Sequence, residues 1–261
     1  MLIALWQTGS ADFGRLRERA REAAAAGARL LITPEAFTSG YAVPDIAEQA
    51  QPIGGSWDRA VAAIAADAGL AILYGHPERT GSDVFNSATL VDRDGSVLAR
   101  HHKAHLYGGV DRIYHPGGSL DALAELDGVR IGVLICYDVE FPETVRALAL
   151  AGADLVAVPT ALMTPYEVVA RTLVPARAYE NQVYLAYVNR SGSEDTLTYC
   201  GESCVVGPDG VDRARAGSGD ELLLAEIDMA ALAQSRADNT HLGDRRPRLY
   251  GSLTAGEEDV R

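Results

Sequence analysis

The chain of 261 residues carries a formal charge of -13, with 48% of its residues apolar and 23% charged. That balance suits a folded globular protein and lies outside the low-hydrophobicity regime of disorder. It argues against nucleic acid or an anionic membrane surface as partner, since phosphate binding draws on clustered Lys and Arg.

The first segment, MLIALWQTGSADFG, has no basic region ahead of its apolar run and turns polar within a few residues. It reads as a strand and not a signal peptide. No apolar stretch approaches the ~20 residues a membrane span requires. Short apolar runs then alternate with helical patterns: DFGRLRERAREAAAAG, ARLLITPE, SWDRAVAAIAADAG and LAILYGHPE. Buried strands joined by crossover helices explain the alternation best. A hairpin follows in FNSATLVDRDGSVLARHHKA, with Asp94 and Gly95 at its turn. Next come a strand (VRIGVLICYD), a helix (EFPETVRALALAGA) and a strand (DLVAVPTA). A helix over about 166–181, the strand QVYLAYVNR, a second hairpin through SCVVGPDGVDRARA and the strand ELLLAEID complete the series.

No linker rich in Pro, Gly or Ser divides the chain, so one domain over 1–250 is expected, with a tail at 251–261. The last twenty or so residues, from about 241, lack periodicity and are expected either to pack on a partner subunit or to fray. The three cysteines, Cys136, Cys200 and Cys204, are too few for a disulfide framework and point to a reducing compartment, the cytoplasm.

Strand ends carry the chemistry in α/β proteins, because loops leaving the sheet edge vary while the sheet holds their roots. Glu35 follows LLITP, Cys136 follows IGVLI and Thr160 follows LVAVP. Taken alone, Cys136 reads first as a small buried hydrophobe. Its strand-to-helix elbow also offers N–H groups to an oxyanion and a helix start that favours thiolate. Glu35 is either a titrating group or an exposed loop charge. Lys103 lies in HHKAHLYGGVDR among His101, His102 and His105, a set that also invites a metal-dependent hydrolase. His101 and His102 point to opposite faces of a strand, no HExxH accompanies them, and Cys200 and Cys204 form only C-x3-C, so we expect no metal and a solvated surface for most of these histidines.

Taken together, TPEAFTSGY, HHKAHL and ICYDVEFPE resemble the glutamate, lysine and cysteine motifs of the nitrilase (carbon-nitrogen hydrolase) superfamily, in the same order and with similar spacing. YGHPER, FNSATLVDRDG, PTALMTPY, RAYENQVYLAYVN and YCGESCVVGPDG extend the resemblance over about 1–250, toward the branch of aliphatic and amino-acid amidases. The resemblance implies a four-layer α-β-β-α sandwich, a homodimer or higher homo-oligomer, no cofactor, and a small amide as substrate.

It further implies Cys136 as nucleophile, Glu35 as general base and Lys103 as catalytic cation. The backbone N–H of Tyr137 is then an oxyanion donor, and Tyr41, Thr160, Ala161 and Met163 are pocket residues. Many members carry a second glutamate where this chain has Asp111, which is expected either to orient the lysine or bind substrate, or to pair with Arg112 at the surface. Glu140 and Asp138 read as structural partners of nearby Arg and backbone donors. The same three residues also serve nitrile hydrolysis and N-carbamoyl amino acid hydrolysis, so the triad alone does not choose among them. An inactive binding module of this fold is the non-enzyme alternative, and it predicts a missing triad member. All three are present.

Overall fold

The computed structural model describes residues 1–253. Its first half runs β1 (Leu2–Gln7), α1 (Phe13–Ala25), β2 (Leu30–Ile32), α2 (Ile46–Gln49), α3 (Ser56–Ala68), β3 (Ala71–Thr80), β4 (Asp83–Val91) and β5 (Val97–His102). The second runs β6 (Leu123–Leu126), β7 (Val129–Val133), α4 (Pro142–Leu150), β8 (Leu155–Pro159), α5 (Val174–Asn181), β9 (Tyr184–Val188), β10 (Ser193–Glu194), β11 (Leu197–Thr198), β12 (Cys204–Val206) and β13 (Asp212–Arg215). β14 (Glu221–Glu226) returns to the first half, and α6 (Met229–Asp238) follows it.

Two six-stranded sheets result, in the orders β14-β1-β2-β3-β4-β5 and β13-β12-β9-β8-β7-β6. Each has three parallel strands at its centre, β1-β2-β3 and β7-β8-β9, joined by helical crossovers. Strand periodicity sends alternate side chains to opposite faces. Ile3, Leu5, Leu30, Ile32 and Leu73 thereby meet Ile131, Val133, Leu155, Ala157 and Val205 in a core between the sheets. Their neighbours Ala4, Trp6, Leu31 and Ile72 face outward against Leu16 and Ala20 of α1 and Val61 and Ile64 of α3. On the far side Val156, Val158 and Leu185 face Val145 and Leu148 of α4 and Ala178 of α5. The expected α-β-β-α sandwich is what these three cores build.

Local signals explain the boundaries. Asp12 caps α1 by accepting from the Gly14 and Arg15 N–H groups, and Gly69 closes α3 in the left-handed region. Two readings need correction. The helix expected over 166–181 starts at Val169 with a widened turn, Val169–Leu173, before α5, since Pro175 has no N–H to donate to the preceding turn. β6 and the two-residue strands β10 and β11 carry too short a pattern to be read from sequence, and α6 buries only Leu232, so it shows no apolar face to read. The described part of the extension after residue 241 is mostly exposed. His241, Arg245 and Tyr250 line a groove of about 620 Å³ with Pro142, Arg146 and Leu150 of α4. Of the expected tail, 254–261 lie outside the described residues. No described helix is long and apolar enough to cross a membrane.

Candidate active site

Four strand ends meet at one rim. Glu35 follows β2 and Lys103 follows β5, both from the first sheet, while Cys136 follows β7 and Thr160 follows β8 of the second. Asn86, inside β4, joins them. Gly75 makes the close approach of β2 and β3 possible here, since a Cβ on it would stand 2.6 Å from Ala36 N and 2.8 Å from Glu35 Cα. Ala36 and Cys136 both take positive φ, 48° and 46°, a conformation that non-glycine residues hold only under constraint from their surroundings.

Lys103 Nζ donates to Glu35 Oε1 at 2.7 Å and to Asp111 Oδ2 at 2.6 Å, and all three side chains are 0% exposed. Asn86 Nδ2 adds a 2.7 Å bond to the same Glu35 oxygen, and the Tyr107 N–H donates to Asp111 Oδ2 at 2.8 Å. Glu35 Oε2 and Asp111 Oδ1 are buried without partners, leaving acceptor capacity facing inward. Asp111 is thus placed on Lys103 and not in a surface pairing with Arg112. Burial pushes Glu35 above the ordinary carboxylate range despite the pull of Lys103. Burial would lower Lys103, but Glu35, Cys136 and Asp111 outweigh it and hold the ammonium well above its usual value. The Cys136 thiol is pushed up by burial and by Glu35, against Lys103 and the neighbouring Ala161 N–H and Thr160 hydroxyl. The helix start expected to favour a thiolate does not lie at the elbow. α4 begins only at Pro142, beyond an intervening tight turn, Cys136–Glu140.

That turn is tied down by Asp138, which accepts from the Ile135 N–H, the His105 N–H and His105 Nδ1, and contacts His101 Nε2 at 2.9 Å. The residues two before and two after Lys103 thus grip the residue two after Cys136. This corrects in part the reading of a solvated histidine surface: His101 is buried, whereas His102 and His105 are each about a third exposed, His102 reaching Glu78 and stacking on the Phe85 ring. Asp138 serves histidines and backbone, with no Arg. Among the described residues no group of three or more His, Cys, Asp or Glu is placed to hold a metal.

The expected pocket residues converge as well. Tyr41, Ala161 and Met163 pack with Ala36 and Tyr199, flanked by Tyr107, Val110 and Leu197. Thr160 lies beside Cys136 and donates to the Tyr187 hydroxyl at 3.0 Å. The Tyr41 ring faces Lys103 Nζ at 5.6 Å. Sequence reasoning missed Asn86, and also Asn189, which accepts from the Leu162 N–H and donates to Leu162 O and Gly201 O, fixing the loop after β8. Their only signal was a polar residue inside an otherwise apolar strand pattern.

The family described as carbon-nitrogen hydrolase matches residues 3–237. The chain belongs to this family. A hydrolase encoded in the pqqF 5' region of Pseudomonas protegens is 43% identical over 97% of this chain and 92% of its own length. An (R)-stereoselective amidase from a Pseudomonas species is 36% identical over 86% of this chain and 82% of its own. Among solved structures, a double mutant of the amidase from Nesterenkonia sp. AN1 in complex with acrylamide superposes with a TM-score of 0.88 at 36% identity, covering 97% of each chain. A further structure of that amidase carries acrylamide added to its active-site cysteine. As a carbon-nitrogen hydrolase with such relatives, the chain bears out the expectation of a cysteine-dependent amidase.

Proposed function

We propose that this carbon-nitrogen hydrolase cleaves small aliphatic or amino-acid amides to the carboxylic acid and ammonia, with Cys136 as nucleophile, Glu35 as base and acid, and Lys103 as fixed cation. The observation that carries this reading is the dry contact of Lys103 with Glu35 beside the Cys136 thiol. With the thiol pKa raised, proton loss accompanies attack. Glu35 takes the thiol proton as Sγ bonds to the amide carbon, and the oxyanion is held by Lys103 and the Tyr137 N–H, which lies in the first turn ahead of internal helical bonds. Glu35 returns the proton to nitrogen, the C–N bond breaks, and ammonia leaves a thioester on Cys136. Glu35 then draws a proton from water, whose oxygen attacks the thioester and releases the acid and the thiol. Asp111 holds Lys103 in place throughout.

The pocket of Tyr41, Ala161, Met163 and Tyr199 supports a small substrate with modest apolar bulk. Ammonia release from propionamide, an amino-acid amide, a simple nitrile and an N-carbamoyl amino acid separates the candidate reactions. Turnover of only the nitrile or the ureido compound overturns the amidase reading, and so does full turnover by Cys136→Ala or Glu35→Gln. Three free cysteines support a reducing cytoplasmic setting. Leu150 at 50% exposed and Leu249 at 61% support a homodimer or higher homo-oligomer, checked by light scattering on the purified chain.

A further inference from the structure

Two charged side chains that touch no reacting atom hold the rim from behind. Arg190, two residues past β9, is buried. Its Nη1 donates to Glu35 O and Ala36 O, each at 3.3 Å, and its Nη2 to Gly9 O at 3.1 Å and Glu194 Oε1 at 3.5 Å. The Tyr199 ring lies 5.5 Å from the guanidinium carbon. Glu194, on the short β10-β11 ribbon, accepts three bonds at Oε2: from the N–H groups of Tyr41 and Ala42 at 2.8 Å each, and from the Tyr199 hydroxyl at 2.7 Å. Its Oε1 sits where a side chain on Gly40 would fall, so the loop after Ala36 passes against this carboxylate with φ at +91° and no room for a Cβ.

Each end of the pair reaches the site through a different path. Arg190 binds both carbonyls of the left-handed turn that carries Glu35, so the direction in which Glu35 leaves β2 depends on where the guanidinium sits. Glu194 binds the main chain at Tyr41, whose ring faces Lys103. A buried guanidinium needs a nearby carboxylate, and Glu194 supplies it from a ribbon that also touches the Tyr41 loop.

We propose that Glu194, acting with Arg190, is a positioning residue that sets Glu35 and the Tyr41–Asp111–Lys103 group relative to Cys136. This rests on the assignment of Glu35 as base. The competing role is plain stability, with Glu194 neutralising Arg190 and nothing more.

The test uses the full-length enzyme and the amide it turns over best, with kcat, KM and thermal midpoint measured for Glu194→Ala, Glu194→Asp, Glu194→Gln and Glu35→Gln. Leu232→Ala, in the inter-sheet core far from the rim, serves as a variant that loses stability alone. Misplacement of a reacting group by ~1 Å costs about 10²-fold, and Glu194→Ala should show a loss of that size, mainly in kcat. Glu194→Asp should behave similarly, its carboxylate being withdrawn from Tyr41 and Ala42. Glu194→Gln keeps an acceptor oxygen in place and should recover to within about tenfold of the parent enzyme. If Glu194→Ala does not fold, the contrast between Glu194→Asp and Glu194→Gln decides. A Glu194→Ala or Glu194→Asp enzyme with kcat within about threefold of the parent overturns the proposal. So does a Leu232→Ala enzyme that loses as much kcat for the same fall in thermal midpoint. Full turnover by Glu35→Gln instead overturns the base assignment, and the two failures are distinguishable.

Discussion

Lys103 Nζ and Asp111 Oδ2 stand 2.6 Å apart with both side chains fully buried, so the ammonium is shared between Asp111 and Glu35 where one carboxylate would neutralise it. Asp111 is also among the groups that raise Glu35. Replacing it with Asn should therefore act in two directions. kcat should fall by about 10²-fold as Lys103 loses its second anchor, while the acid limb of kcat/KM should move to lower pH. Stability should drop by about 1–3 kcal/mol, because the Lys103 and Tyr107 donors lose a charged acceptor. Steady-state kinetics from acid to neutral pH check both; an acid limb that stays put or rises contradicts the account.

The raised pKa of Glu35 sets the sign of the parent enzyme's own pH dependence. A base works only when deprotonated, so activity is present above the Glu35 pKa and lost below it. Burial places that limb above the ~4.3 of a free glutamate. Lys103 and Cys136 are both pushed upward, so neither should produce an alkaline fall below about pH 9. A kcat/KM profile with an uncharged amide reads both limbs, and an acid limb at or under the free-glutamate value contradicts the burial argument.

Gly75 offers a substitution that removes no polar group. Adding a methyl there drives a Cβ against Ala36 N, Pro34 O and Glu35 Cα. Gly75→Ala should cost about 1–3 kcal/mol by overpacking and lower kcat by more than tenfold, about the effect of a sub-ångström shift in Glu35. Chemical denaturation alongside ammonia release tests this, and a stable, fully active variant would show that β2 can move away from β3 without disturbing the rim.

Asp138 links the lysine strand to the cysteine turn, and its carboxyl is held far below the ordinary range by bonds from His101 and His105 that overcome burial. A depressed folded-state pKa contributes stability that is present above the unfolded value, ~3.9, and lost as pH falls below it. Asp138→Asn should remove that contribution, costing about 2–4 kcal/mol at neutral pH, so that its midpoint and the parent's converge toward acid. Denaturant midpoints at neutral pH and at pH 3 measure the convergence; parallel curves would mean that another acid carries the acid sensitivity.

What the sequence disclosed and what it hid divide along contact range. Glu35, Lys103 and Cys136 were legible because each sits in a local string at a strand end, and their order and spacing repeat a family pattern. Strands such as β1, β7 and β8 were legible because they run apolar over their own length, while the sandwich they build was legible only through the family resemblance. Asn86, Asn189, Arg190 and Glu194 were not: Asn86 meets Glu35 across 51 positions and Arg190 meets it across 155. Nothing within a few residues of a buried polar side chain announces a partner so far along the chain. His101 and His105 misled for the same reason, since their acceptor, Asp138, arrives from the other sheet.

That division between sheets has a consequence of its own. The proposed base and cation hang from one sheet and the nucleophile from the other, so the gap between them is set by the thickness of the apolar filling that separates the sheets. Ala88, Ala157 and Ala186 are small side chains in that filling. Turnover should therefore be adjustable from within the core: changes of one or two methyl groups at these alanines, remote from any substrate, would act as spacers that retune reaction geometry. A search for faster or slower variants has as much reason to begin there as at the pocket wall.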